Sequence, residues 1–352
     1  MRGYHILDTT LRDGEQTAGI VFSNEEKVRI AMELDNAGVD IIEAGIPVMG
    51  REEKEVLSRI NKLDLNAEVL SWNRMKKKDI KESLDCGINN IHISAPVSDL
   101  HINRKLNKTR KWVLNKIDCL IKFAVEQGCT VSVGAEDASR AEMSFLIKFY
   151  RTAVEAGVER IRFADTVGAL DPFSTAEKIR QIKDEISVVL DFHGHNDLGM
   201  ATANALAAVR EGAECVSCTV NGLGERAGNT PLEEIVVALQ CLYNYKGNVD
   251  VKKLFSLSRL VGGCSGRQVP EDKPLVGDKV FSHEAGIHVD GLLKDSKIYE
   301  LISPALLGRN RDLVLGKHSC VSAVKHVLEE KGVNVDDREA KKILEKLRKR
   351  EA

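Results

Sequence analysis

The sequence predicts a (β/α)8 barrel followed by a small, mainly helical C-terminal region. Two observations carry that prediction. Short apolar or β-branched runs alternate with helix-period stretches eight times, which implies parallel strands with right-handed crossovers. Eight such units in roughly 240 residues close into a barrel more readily than they extend an open sheet. Second, Asp13, Glu43, His92, Glu136, Thr166, His193, His195 and Asn221 all fall at or just beyond the ends of the apolar runs. Barrels of this kind keep their active sites at the carboxyl ends of the strands.

In chain order, strands are expected near 4–8, 39–44, 67–72, 90–95, 129–136, 159–165, 188–194 and 215–220. A helix over 24–36 has Ser23 or Asn24 as its cap and Val28, Ala31, Met32 and Leu34 as its inner stripe. Others run from about Trp112 to Gln127 and from Ser139 to Ala156, the latter stopped by Gly157. After Tyr245 the alternation ends. Residues 246–281 mix a short helix with Gly262-Gly263, Pro270 and Pro274, a pattern for a flexible connector. Residues 320–350 read as two helices split by Gly332, the last of them, Glu339 to Arg350, a charged and solvated helix. The expected division is a catalytic barrel over 1–245 and a connector with helical subdomains over 246–352, placed to cover the barrel mouth.

At 352 residues, 43% hydrophobic and 30% charged, the chain has the composition of a globular protein with a large core. A formal net charge of −2 gives no electrostatic reason for nucleic-acid or anionic-membrane binding. No apolar run approaches a membrane span, and the amino terminus lacks a signal-peptide apolar segment. Eight cysteines without a regular framework read as reduced thiols, and hence as a cytoplasmic location. The one Cys-x-x-Cys, Cys215 to Cys218, lies on a strand, where positions three apart face opposite ways and cannot clasp a metal.

Two short strings concentrate the chemistry. Leu11-Arg12-Asp13-Gly14-Glu15-Gln16 ends the first strand, and His193-Gly194-His195-Asn196-Asp197 ends the seventh. A His-x-His on a strand turns both imidazoles to one face. Two neutral imidazoles and one carboxylate, for which Asp13 is the candidate, leave open positions on a divalent metal and so suit catalysis. Arg12, which keeps its charge, stands beside that carboxylate where developing oxyanions need a cation.

These strings, with Lys27 eleven residues after Gln16, resemble the paired signatures of the 2-isopropylmalate and homocitrate synthases. Asn221-Gly222-Leu223-Gly224-Glu225-Arg226-Ala227-Gly228-Asn229 and Gly286-Ile287-His288-Val289-Asp290-Gly291 are similar to two further blocks of that family. The wording from Phe163 through Thr166 to Phe173 resembles most the homocitrate synthases associated with nitrogenase. The resemblance implies a metal-assisted Claisen condensation of acetyl-CoA with a 2-oxo acid, the metal being Mg, Mn or Zn. It implies Asn229 as a further metal ligand and Glu136, His288 and Tyr299 as the acid–base groups. It also implies Thr166 as a donor to the substrate carboxylate, and a homodimer in which His288 reaches the neighbouring subunit's barrel. His283 and His318 are expected to help order the mouth; His5, His101 and His326 are expected to be ordinary structural or surface residues.

The lysine-pathway members of that family hold the far carboxylate of 2-oxoglutarate with an Arg, a His and an Asp. This chain has Ser132, Trp72 and His92 at those places. Arg162, four residues before Thr166 and on its face, and Arg74, ending the third strand, are the replacement candidates, with His92 in the substrate pocket. The resulting expectation is homocitrate formation from 2-oxoglutarate. The alternatives are a 2-isopropylmalate or citramalate synthase using another 2-oxo acid, an acyl-CoA lyase on the same fold, or a metal-binding scaffold without turnover.

Overall fold

The computed structural model describes residues 3–349. Eight parallel strands form a closed barrel in sequence order: β1 His5–Asp8, β2 Ile41–Gly45, β3 Glu68–Arg74, β4 Asn90–Pro96, β5 Thr130–Glu136, β6 Arg160–Asp165, β7 Val189–Gly194 and β8 Cys215–Cys218. β8 closes on β1 with His5 opposite Cys215 and Asp8 opposite Cys218. Strands covered on both faces read as continuous apolar runs, and β2 is buried at every position. The expected strand over 215–220 stops at Cys218, because Val220–Gly222 form a tight turn with Asn221 at φ 60°. Both Cys215 and Cys218 are free, buried thiols, and burial raises both well above the ordinary thiol range.

Outside the strands lie α1 Asn24–Asn36, α2 Arg51–Asn61, α3 Lys77–Asp85, α4 Arg110–Glu126, α5 Met143–Ala156, α6 Pro172–Glu185, α7 Ala201–Arg210 and α8 Leu232–Tyr243. Ser23 and Glu26 form a reciprocal capping box that starts α1. The inner stripe of α1 differs from expectation: Met32 is exposed, and Lys27 is buried beside Ile30, Ala31 and Leu34. Burying that ammonium is possible because Glu15 and Glu53 each reach it, at 2.6 and 2.7 Å. α5 begins at Met143 and not at Ser139, since the intervening residues make a single turn after Asp137, whose φ is 62°. Gly157 ends α5 in the left-handed conformation (φ 108°), as its sequence position predicts.

The chain divides into two compact units. The barrel unit runs through Asp250 and also takes Ser256–Gln268; the second holds Val251–Phe255 and the chain from Val269 on. Gly262-Gly263 does not break the chain into a connector, because α9 Leu254–Ser265 runs through both glycines. The second unit contains α10 Gly286–Lys294, α11 Val321–Glu330 and α12 Asp337–Arg348, with a two-stranded parallel ladder of β9 Ser282–His283 and β10 Asp312–Leu313. Gly332 separates the last two helices, as expected. α12 is capped by Asp336 and Glu339 and is not solvated all round: Ala340 and Leu344 pack on Val324 of α11. The expected last residue of that helix, Arg350, lies outside the described residues. No helix among the described residues is long and apolar enough to cross a membrane.

Candidate active site

The carboxyl end of the barrel holds a cavity of about 260 Å³ into which Arg12, Asp13, His92, Glu136, Arg162, Thr166, His193 and His195 all open. Arg12 and Asp13 sit on a five-residue π-helical turn, Thr10–Gly14, that follows β1 at once. The Thr9 side chain accepts from the Asp13 N–H and fixes the start of the turn. β7 supplies His193, and His195 follows one residue past the strand end. Their Nε2 atoms are 3.3 Å apart and lie 3.0 and 3.8 Å from Asp13 Oδ2.

Ligand atoms bound at about 2.1 Å to one four- or six-coordinate ion stand roughly 3.0–3.4 Å from one another, close to these separations. Asp13, His193 and His195 are each buried, and the described residues hold no other such group of His, Cys, Asp and Glu. Burial and the His193 ring push His195 down to about 4, so its imidazole is neutral and its lone pair available near neutral pH. Burial alone would raise Asp13, but Arg12 and the His193 contact hold it well below the ordinary carboxylate range. The Asn229 side-chain oxygen is buried without a hydrogen-bond partner, while its Nδ2 is spent on the Leu223 carbonyl at 2.9 Å. Asn229 also bridges its backbone to His195. These donors fit a divalent cation.

Below the triad runs an alternating row of buried charges. Arg12 Nε donates to Glu43 Oε1 at 2.5 Å, and its Nη1 lies 3.3 Å from Asp13. Glu43 Oε2 is 2.8 Å from Arg162 Nη2, and Arg162 Nε donates to Asp191 at 2.6 Å. The 2.8 Å pair is misaligned for a hydrogen bond, so both atoms keep capacity for another partner. Burial opposes ionisation of Glu43, yet Arg12 and Arg162 together hold its carboxyl low. Burial and Arg162 push His92 well below its ordinary value, leaving it neutral, with Nδ1 2.9 Å from Ser132 Oγ. The Arg12 guanidinium also lies 5.7 Å over the Trp72 ring.

Thr166 accepts the Asp137 N–H on Oγ1 at 2.8 Å. Glu136, ending β5, is half-buried; Lys105 Nζ and His101 Nδ1 approach its Oε1 at 2.6 and 3.3 Å. His101 is therefore not an ordinary surface residue, and neither it nor Lys105 was expected at the site. Their four-residue spacing just past a strand end is the signal that could have found them. Asp191 was missed as well, although an acid two positions before His193 in an apolar strand shares that histidine's inward face.

Other expected residues lie elsewhere. Arg74 does not join the cavity: it is half-exposed and gives both ends of its guanidinium to Asp79 of α3. Asn221 bonds to Glu233 and Ser258 rather than to the cavity. His5 pairs with Asp40 at the opposite end of the barrel, and His326 with Glu330 along α11. In the second unit, the His288 and Tyr299 rings stack at 4.2 Å between centroids, His283 lies 3.6 Å from Glu300, and the His318 N–H donates to Glu284.

Comparison with known proteins places this geometry in context. Residues 4–261 match the HMGL-like family, and residues 275–352 match the homocitrate synthase post-HMGL domain-like family. The chain is 51% identical to 2-isopropylmalate synthase 2 of Caldanaerobacter subterraneus, covering 98% of this chain and 90% of that protein. It is 46% identical to homocitrate synthase 1 of a Nostoc species, covering 97% and 91%. It is also 46% identical to a putative (R)-citramalate synthase of Archaeoglobus fulgidus, covering 97% and 70%. Among solved structures, the Bacillus subtilis HMG-CoA lyase superposes with a TM-score of 0.70 at 20% identity, over 77% of this chain and 96% of that one. At that identity the likeness speaks for the fold alone.

Proposed function

Since the chain belongs to the HMGL-like family, and within it to the acetyl-CoA-dependent 2-oxo acid synthases, we propose that it makes homocitrate. In this reading acetyl-CoA, 2-oxoglutarate and water give homocitrate and free coenzyme A, as in the nitrogenase-associated members. The observation that carries the reading is the meeting of Arg12, Asp13, His193, His195, Thr166, Glu136 and Arg162 in one cavity. A divalent cation (Mg, Mn or Zn) held by Asp13, His193 and His195, with the Asn229 oxygen beside them, would polarise the oxo group as a Lewis acid. Thr166 already accepts from Asp137, so its own hydroxyl proton is free for the substrate carboxylate. Arg12 steadies negative charge developing on the former oxo oxygen. Glu136 takes the proton lost by the acetyl methyl group as the new carbon–carbon bond forms, and water then cleaves the thioester.

The two further acid–base groups are His288 and Tyr299, contributed in this reading by a neighbouring copy in a homodimer. Exposed Ile287, Ile298 and Leu301 around that pair favour such an interface. A second cavity of about 560 Å³ shares Arg12 and Gln16 with the first and is walled by Ile20, Phe22, Ile46 and Met49. It suits the extended, partly apolar arm of coenzyme A.

Arg162 decides the oxo acid. Its Nη2, ion-paired with Glu43 but not aligned for a hydrogen bond to it, lies in the same cavity as Thr166 and favours a second carboxylate at the far end of the substrate. A second reading rests on its pairing with both Glu43 and Asp191, which already answers its charge and favours the uncharged tails of 2-oxoisovalerate or pyruvate. Coenzyme A release should show the highest kcat/KM with 2-oxoglutarate; a preference for either other acid selects the second reading. Release with none of them overturns the synthase reading. In the same assay, mixing His288→Ala with Arg12→Ala chains should restore activity, and no recovery overturns the shared site.

A further inference from the structure

The described chain contains two π-helical turns, and both follow barrel strands at their carboxyl ends. Such wide turns are rare and concentrate at functional sites. The first, Thr10–Gly14, presents Arg12 and Asp13. The second, His101–Lys105 after β4, has no role in the reading above. Its two outermost residues turn toward one atom, Glu136 Oε1, with Lys105 Nζ at 2.6 Å and His101 Nδ1 at 3.3 Å. The other ring nitrogen of His101 lies 3.7 Å from Asp137 Oδ2.

Asp137 holds a left-handed backbone (φ 62°), a strained conformation for a non-glycine residue. The Ser98 hydroxyl and the Arg140 guanidinium fix its carboxylate, and its N–H is the donor that orients Thr166. The loop between β4 and α4 therefore grips two consecutive residues, one bearing the carboxylate and the other steering the threonine.

We propose that His101 and Lys105 are positioning residues for Glu136. This rests on the reading of Glu136 as the group that takes the acetyl proton. Both nearest approaches fall on Oε1, and none of the described residues hydrogen-bonds to Oε2. Lys105 Nζ donates to Oε1 and the His101 ring stands 3.3 Å from the same atom without a hydrogen bond to it, which together hold the carboxylate on that side and leave the other oxygen to receive the proton. Lys105 is about half exposed, so its ion pair adds little to stability; its effect is on geometry.

The test uses full-length, metal-loaded protein and the coenzyme A release assay. Lys105→Met and His101→Gln should each lower kcat roughly 10- to 100-fold, as expected for a misplaced reacting group, with KM for the oxo acid and metal content changed less than about twofold. Lys105→Arg should recover most of the rate. The double variant Lys105→Met/Glu136→Gln should be no slower than Glu136→Gln alone, because residues acting through one group are not additive. An unchanged kcat in Lys105→Met beside an inactive Glu136→Gln overturns the positioning role alone, and so do additive losses in the double variant. Full turnover in Glu136→Gln removes the proton-transfer reading beneath it.

Discussion

The two ends of the barrel carry cavities of opposite character. The larger, about 1010 Å³, lies at the amino ends of the strands among Asp40, Glu68, Glu159, Arg160 and a set of asparagines. Two of its asparagines pair with carboxylates of their own wall: Asn90 with Glu68 at 3.0 Å, Asn248 with Asp40 at 2.7 Å. The smaller one, about 260 Å³, gathers the metal-type triad and two buried arginines. Volume does not mark the site. What marks it is the buried cluster of Asp13, His193 and His195, whose ligand atoms lie 3.0 to 3.8 Å from one another.

Breaking the smaller cavity should have the largest effect. His195→Ala is expected to abolish turnover and remove bound metal while the circular dichroism of the barrel persists, since His195 lies just past the end of β7 and outside the apolar core. Full activity after chelation and dialysis would end the metal assignment. A smaller effect is expected between the two ends, at Asp8, where β1 passes toward the mouth. Burial pushes its carboxyl up to about 7, opposed by the Thr10 N–H and hydroxyl and assisted by Glu233 and Glu43.

A carboxyl raised in this way is favoured in its protonated form by the fold. Its contribution is complete below the ordinary carboxylate range and is lost as pH rises through about 7. Asp8→Asn should therefore stabilise the protein at pH 8 by up to about 4 kcal/mol, at about 1.4 kcal/mol per pH unit, with the gain vanishing below about pH 4. Equal melting shifts at pH 4 and pH 8 would contradict this. The least effect belongs to the large cavity: Glu159→Gln should change stability by less than about 0.5 kcal/mol and leave kcat alone. A tenfold loss of kcat there would erase the contrast between the two ends.

The strands were legible because a doubly covered parallel strand is an unbroken apolar run, and their observed limits lie within about two residues of the expected ones, which is the ordinary fraying of such boundaries. The His-x-His pair and Asp13 were legible because alternation turns residues two apart to one face. Partnerships across the barrel were not. Nothing local in the sequence says that Glu43 stands between Arg12 and Arg162; that depends on which strands face one another across the interior. Lys27 on the inner face of α1 failed the apolar pattern for the same reason, since its neutralising partners Glu15 and Glu53 come from two other segments.

The row of charges from Asp191 through Arg162, Glu43 and Arg12 to Asp13 has a consequence for redesign. Exchanging residue 162 to accept another substrate tail would free Glu43 to draw Arg12 away from Asp13, weakening the metal end from the far side of the pocket. Under the proposed function, a new specificity calls for paired substitutions, with 43 or 191 changing alongside 162, and a single exchange is expected first to weaken metal retention.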